Sequence, residues 1–172
     1  MIKILKTRNK YLSKWVTLVE RTFLLNQKIK KWHYIKTFDY LCIFAVTEKN
    51  KIAIVNQFRP SVNRRTWEFP GGIKDNKKNI TKIAKNEVEE ETGLKVKKII
   101  RIKTGLSDTG RIQNKIHFFF AKCYETDLKK AEKGIKVKFV TKKQLEKLII
   151  KDDFNYNLHL SLYMLVKMKK LF

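Results

Sequence analysis

Glu87, Glu89, Glu90 and Glu91 place four carboxylates within five residues of a chain whose formal net charge is +24. Only sixteen acidic residues stand against forty basic ones, so a quarter of the acids sit at one spot. Carboxylate oxygens gathered this closely are the ligands that hard divalent cations such as Mg²⁺ take together with substrate phosphates. A solvated acidic face is the other reading of such a run, and the cluster by itself fits both.

The element that must carry these residues reads as one helix from Ile80 to Gly93. Apolar Ile80, Ala84 and Val88 recur every four residues, and Gly93 stands where a left-handed C-terminal cap is expected. The glutamates then occupy the last turns, where the helix dipole is already negative. Glu87, Glu90 and Glu91 share one face and repel one another. Local stability opposes the arrangement on every count, and a bound dication reverses the sign of each.

A length of 172 residues, 43% hydrophobic and 33% charged, fits one soluble globular domain with a real core and a small extension. No run approaches eighteen apolar residues, so no membrane span is expected, and Lys3, Lys6 and Arg8 break the N-terminus before a signal-peptide core forms. Cys42 and Cys123 fall in expected strands without a CxxC, which suggests buried thiols in a reducing cytoplasm. The basic balance invites a nucleic-acid reading. Lysine, however, outnumbers arginine 33 to 7, Ile and Asn are frequent, and the lysines are spread along the chain, as an AT-rich genome alone would produce. RNA is therefore a disfavoured partner, and a general attraction for anionic substrates is the better reading.

Residues 11–36 read as a strand pair turning at Asn26-Gln27. Tyr40–Val46 and Lys51–Phe58 read as a hairpin, and Thr66–Phe69 as a short strand ended by Pro70-Gly71-Gly72. After the glutamate helix come a strand at Lys95–Lys103, a loop at Thr104–Asn114, and strands at Lys115–Cys123 and Ile135–Val140. Thr141-Lys-Lys-Gln144 opens a helix with a capping-box pattern, and an amphipathic helix spans Tyr156–Lys169. Strands mixed with a few helices, without regular alternation, indicate an α+β domain: an α/β/α sandwich around a mixed β-sheet, with a small N-terminal β extension.

From Gly72 through Glu87, Val88, Glu90, Glu91 and Gly93 to Leu94, the sequence resembles the Nudix box, G-x5-E-x7-R-E-U-x-E-E-x-G-U with U aliphatic. Seven positions match in register across 23 residues. Two depart: Lys78 replaces the first glutamate of the box, and Asn86 replaces its arginine. The flanks are similar to the ADP-ribose and ADP-sugar pyrophosphatase branch of the Nudix hydrolases. They are Gln57-Phe58-Arg59-Pro60, Trp67-Glu68-Phe69-Pro70-Gly71-Gly72, Gly105-Leu106-Ser107-Asp108 leading to Ile116-His117-Phe118, and the tryptophan-bearing segments Lys14-Trp15 and Lys31-Trp32. The resemblance runs from about residue 11 to 150. It implies a division into an N-terminal extension, residues 1–38, for dimerisation and base stacking, and a Nudix hydrolase domain, residues 39–172.

The resemblance implies roles at the matching positions. Glu87 and Glu91 would be the principal Mg²⁺ ligands, with Mn²⁺ a possible substitute, Glu90 assisting and the Gly71 carbonyl adding a donor. Arg59 would contact phosphates and Glu68 would take part in substrate binding. Trp15 and Trp32 would stack the adenine of a nucleotide diphosphate sugar, usually from opposite subunits of a homodimer; plain packing is the alternative. Ser107 and Asp108 shape the terminal-sugar pocket or form an ordinary turn, and His117 is read as packing. In the loop before residue 135, where the branch places a water-activating glutamate, the alignment puts Lys133 with Glu132 adjacent. Glu132 is thus the candidate general base, and Glu125 and Asp127 are alternatives. Three readings follow: a Mg²⁺-dependent hydrolase of ADP-ribose or a related nucleotide sugar, a hydrolase of RNA 5′ ends, and a nucleotide-binding protein that lost turnover through Lys78 and Asn86.

Overall fold

The computed structural model describes residues 2–75, 79–125 and 131–172; Lys78 and Asp127 lie outside them. Eleven strands and three α-helices follow in the order β1 (Ile2–Tyr11), β2 (Thr17–Leu25), β3 (Lys28–Lys36), β4 (Asp39–Thr47), β5 (Ile52–Arg59), β6 (Arg64–Glu68), β7 (Gly71–Lys74), α1 (Ile80–Thr92), β8 (Lys95–Leu106), β9 (Ile112–Gln113), β10 (Lys115–Tyr124), β11 (Lys136–Val140), α2 (Lys142–Ile150) and α3 (Asn157–Met168) among the described residues.

The main sheet runs β11-β5-β4-β10-β8, with β6 on β5 and β7 on β4. Its centre is mixed, because β10 lies parallel to β4 and antiparallel to β8. The central strands are near-continuous apolar runs because both faces are covered. Along β4, Cys42, Phe44 and Val46 point to one core with Leu145 of α2 and Leu162 and Val166 of α3. Leu41, Ile43 and Ala45 point to the other, with Ile83, Ala84 and Val88 of α1. Side chains alternate along β10 in the same way: Phe118 and Phe120 join the first core, Phe119 and Ala121 the second. The α/β/α sandwich thus follows from period-two burial on both sides.

β4 and β5 pair only at Val46↔Ile52 beside their hairpin. Farther along they part, and β6 and β7 fill the gap, Glu68 pairing with Val55 and Gly71 with Cys42. The Phe69-Pro70 corner therefore sits in a wedge within the sheet, held by a hydrogen bond from the Ile43 N–H to the Pro70 carbonyl at 2.8 Å. That wedge presents Gly71 and Gly72 to α1.

A second sheet, β1-β2-β3-β9, joins the three N-terminal strands to β9 from the connection between β8 and β10. The strand pair expected at 11–36 is two of its members, β2 and β3, turning at Asn26 and Gln27, both at positive φ as a type I′ turn requires. β1 was not expected, and β8 runs on to Leu106 through the start of the expected loop. No described helix is long and apolar enough to cross a membrane. Cys42 and Cys123 are buried free thiols.

Candidate active site

α1 ends as its composition requires: Gly93 takes φ 75° and donates its N–H to the Glu89 carbonyl at 3.1 Å. The last turns thereby bring the carboxylates against β7. Glu91 is buried, and one of its oxygens accepts the Gly71 N–H at 3.0 Å while the other accepts from the Gln57 amide at 3.4 Å. A methyl group at Gly72 would strike the Glu87 carboxylate, so that side chain would have to swing aside. A methyl group at Gly71 would strike the Leu41 carbonyl and the Tyr40 hydroxyl.

The electrostatics follow from this packing. Burial pushes Glu91 up to about 8, the Gly71 N–H opposing and the Glu87 charge adding to it. Burial likewise raises Glu87 to about 7, helped by Glu90, Glu132 and Asp75. Glu132 reaches this neighbourhood because its N–H donates to the Glu90 carbonyl at 2.9 Å. Its loop is tied down further by Arg65, which bridges the Gly134 and Asn56 carbonyls at 2.7 Å each.

Arg59 is not free beside this cluster. Its Nε and Nη2 donate to the two oxygens of the buried Glu68 at 2.9 and 2.5 Å. Thr66 also donates to Glu68. Burial pushes Glu68 up, but the Arg59 and Thr66 hydrogen bonds outweigh it and hold the carboxylate below its usual range. Arg59 in turn lowers Glu91.

Behind the wedge, fully buried His159 of α3 accepts the Phe69 N–H at Nδ1, 2.8 Å away, with its ring parallel to Phe69. Nε2 faces the Tyr40 hydroxyl at 3.4 Å. Burial pushes His159 down to about 3, so it is a neutral acceptor that holds the Phe69-Pro70-Gly71 backbone in place. Sequence reasoning gave α3 no part in the site, and gave none to Gln57, Arg65 or Tyr40. The strand wedge brings Tyr40 against Gly71 and His159 against Phe69, and no local pattern announces it.

The aromatic candidates lie elsewhere. Trp15 and Trp32 are each 43% exposed, too open for core packing. Trp15 meets Phe38 edge-on and carries Lys14 over its ring. Trp32 lines a cavity of about 840 Å³ between the N-terminal sheet and the 106–115 connection, together with Arg21, Phe23, Tyr34, Asp108 and Arg111. Neither Trp15 nor the α1 carboxylates belong to its described wall. Ser107 donates to Asn114. His117 is buried against Thr104 and Asp39, as expected of a packing residue.

The carboxylates suit a hard dication in kind: oxygen donors, Glu91 buried and Glu87 half-buried, with neighbouring carboxylates raising the proton affinity of both. Among the described residues no three His, Cys, Asp or Glu side chains are gathered as a formed metal site.

Residues 37–159 match the NUDIX domain family. Over 103 residues the chain is 33% identical to an ADP-ribose pyrophosphatase of Bacillus subtilis (strain 168), covering 60% of this chain and 56% of that protein. Over 121 residues it is 26% identical to a methanol dehydrogenase activator of Bacillus methanolicus, covering 70% and 65%. The chain thus spans between about half and two-thirds of the length of these curated relatives. A solved structure described as an ADP compounds hydrolase superposes with a TM-score of 0.82 at 16% identity, over 97% of this chain and 92% of that one, which is a likeness of fold.

Proposed function

Because the chain belongs to the NUDIX domain family, we propose that it is a pyrophosphatase that cleaves ADP-ribose or a related nucleotide sugar to AMP and a sugar phosphate. The observation that carries this reading is the Glu87–Glu91 pair, raised to about 7 and 8 and packed on Gly71 and Gly72 in an otherwise strongly basic chain. Glu87, Glu90, Glu91 and the Gly71 carbonyl would hold Mg²⁺, or Mn²⁺ in its place. The chemistry a bound dication supplies is neutralisation of the pyrophosphate, orientation of a water and stabilisation of the leaving phosphate's charge. Arg59 presents a guanidinium whose Nε and Nη2 are fixed by Glu68, which leaves Nη1 for a substrate phosphate. Glu68 then serves the substrate by aiming Arg59. Glu132, held at the end of α1, is positioned to take a proton from the attacking water.

Trp32 receives the base in its cavity, and Trp15, outside that cavity, is supplied by a second copy of the chain. Exposed Ile2, Ile4, Leu5, Tyr11 and Ile29 on the N-terminal sheet support that homodimer. Two buried free thiols fit a cytoplasmic setting.

The test is incubation with ADP-ribose, a capped RNA and a dinucleotide panel, each with Mg²⁺ or Mn²⁺, scoring products. ADP-ribose turnover that disappears in Glu91→Gln is the expected result. Cleavage of the RNA alone would move the assignment to RNA ends. Binding of ADP-ribose without consumption would make the protein a sensor that lost turnover through Asn86 and Lys78. Sedimentation of the intact protein tests the dimer.

A further inference from the structure

Trp32 is held from two directions by one turn. In the β8–β10 connection, Oδ1 of Asp108 accepts the Gly110 N–H at 2.6 Å and the Arg111 N–H at 2.5 Å. That turn sets the Gly110 carbonyl 2.7 Å from the Trp32 indole N–H, which donates to it. The same turn places the Arg111 guanidinium over the indole, 4.1 Å from the ring centre. Arg111 is itself tied by Nη1 to the His33 carbonyl at 2.8 Å, one residue from Trp32. Immediately beyond, β9 adds to β3 in parallel, with Ile35 opposite Ile112 and the Ile35 N–H bonded to the Arg111 carbonyl at 2.8 Å. The indole is thus fixed along its polar edge and covered by a cation, yet it stays 43% exposed and forms part of the cavity wall.

We infer that Asp108 and Arg111 are positioning residues that fix Trp32 as a wall of the base subsite, Asp108 acting through its acceptor oxygen and not by touching the sugar. The inference rests on the reading of Trp32 as a base-stacking residue. An exposed tryptophan free to rotate would lose that freedom when a base stacks on it; an indole already clamped does not. The guanidinium contact is of the favourable cation–π kind and adds positive charge beside a site for an anionic nucleotide. Oδ1 of Asp108 is committed to the backbone of its own turn by both of these bonds.

The experiment measures ADP-ribose affinity by isothermal titration calorimetry in a Glu91→Gln background, and KM and kcat in the otherwise wild-type enzyme. Asp108→Ala, Asp108→Asn, Arg111→Ala and Trp32→Ala are compared, with thermal melting as the folding control. Asp108→Ala and Arg111→Ala are expected to weaken binding and raise KM about tenfold with kcat changed less than about twofold. Both should red-shift indole emission as Trp32 loosens. Asp108→Asn keeps an acceptor oxygen for the turn and should restore most of the loss. Equal damage from Asn and Ala would overturn the inference, because the charge itself would then be acting on the substrate. So would a weakened Trp32→Ala beside unaltered Asp108→Ala and Arg111→Ala, an outcome that leaves base stacking standing. Unaltered affinity in Trp32→Ala would remove base stacking, and this inference with it.

Discussion

Glu87 in the last turns of α1 is opposed by the helix dipole, by its neighbours and by burial. Burial, Glu90, Glu132 and Asp75 all push its proton affinity up. The arginine that the box places at position 86 is the missing counterweight, since Asn86 carries no charge. Asn86→Arg should therefore draw Glu87 back down and shift the acid limb of the pH–rate profile to lower pH. A group at about 7 is already half ionised at pH 7, so turnover there should rise only about twofold, with a larger gain at lower pH. An unmoved limb would mean that Glu87 ionisation does not limit the reaction. Glu68 shows the opposite balance, because hydrogen bonds from Arg59 and Thr66 hold a buried carboxylate ionised. A folded pKa below the unfolded one gives stability that is present above the ordinary carboxylate range and lost as pH falls. Glu68→Gln should remove that acid dependence. It should cost about 2 kcal/mol by denaturant unfolding, less than a fully buried broken pair, because a third of the Arg59 side chain is exposed and screened.

At the scale of elements, the site depends on how closely α1 lies against β7. Gly72→Ala puts a methyl group where the Glu87 carboxylate now sits, so the helix must move or Glu87 must turn away. Displacement of about an ångström is enough to cost about a hundredfold in turnover; near-normal rates in this variant would show that the contact is slack. Thr141→Ala is a purely local counterpart. It removes one half of the capping box on α2, formed with Gln144, and should lower stability by about 1 kcal/mol. Both features were legible beforehand, since α1, its glycine cap and the capping box rest on neighbours in sequence. The central strands were legible because double burial writes long apolar runs. β1 was not: all ten residues are exposed, and Lys3, Lys6, Arg8 and Lys10 interrupt its apolar positions, so it is held by pairing with β2 and leaves no burial pattern. The locking of Phe69 by His159 was equally unreadable, because 90 residues separate the partners. The Arg59–Glu68 pair lay inside two recognised segments, but only the β5–β6 register reveals that they meet.

Over the whole molecule these groups set opposing slopes of stability against pH. His159 has a folded pKa of about 3, so below its ordinary value near 6.5 the unfolded chain binds a proton the folded one refuses. Its contribution is complete above that value and lost as pH falls, about 2 kcal/mol between pH 6.5 and 5. Glu87 and Glu91, at about 7 and 8, work the other way. Folded protein keeps two protons that the unfolded chain releases above the usual carboxylate range, so stability is complete in acid and lost as pH rises toward 8. Between pH 5 and 6.5 the two carboxylates outweigh the one histidine, and above 6.5 they act unopposed. Chelator-treated protein should therefore melt at progressively lower temperature from pH 5 to 8. His159→Gln should steepen the decline below pH 6.5, where the opposing slope is removed. A dication at the proposed site would bind the ionised pair, so the rise in melting temperature on adding millimolar Mg²⁺ should grow across the same range. A Mg²⁺ effect equal at pH 5 and pH 8 would place the ion somewhere other than on Glu87 and Glu91, and a flat profile in chelator would mean that these carboxylates are not held protonated at all.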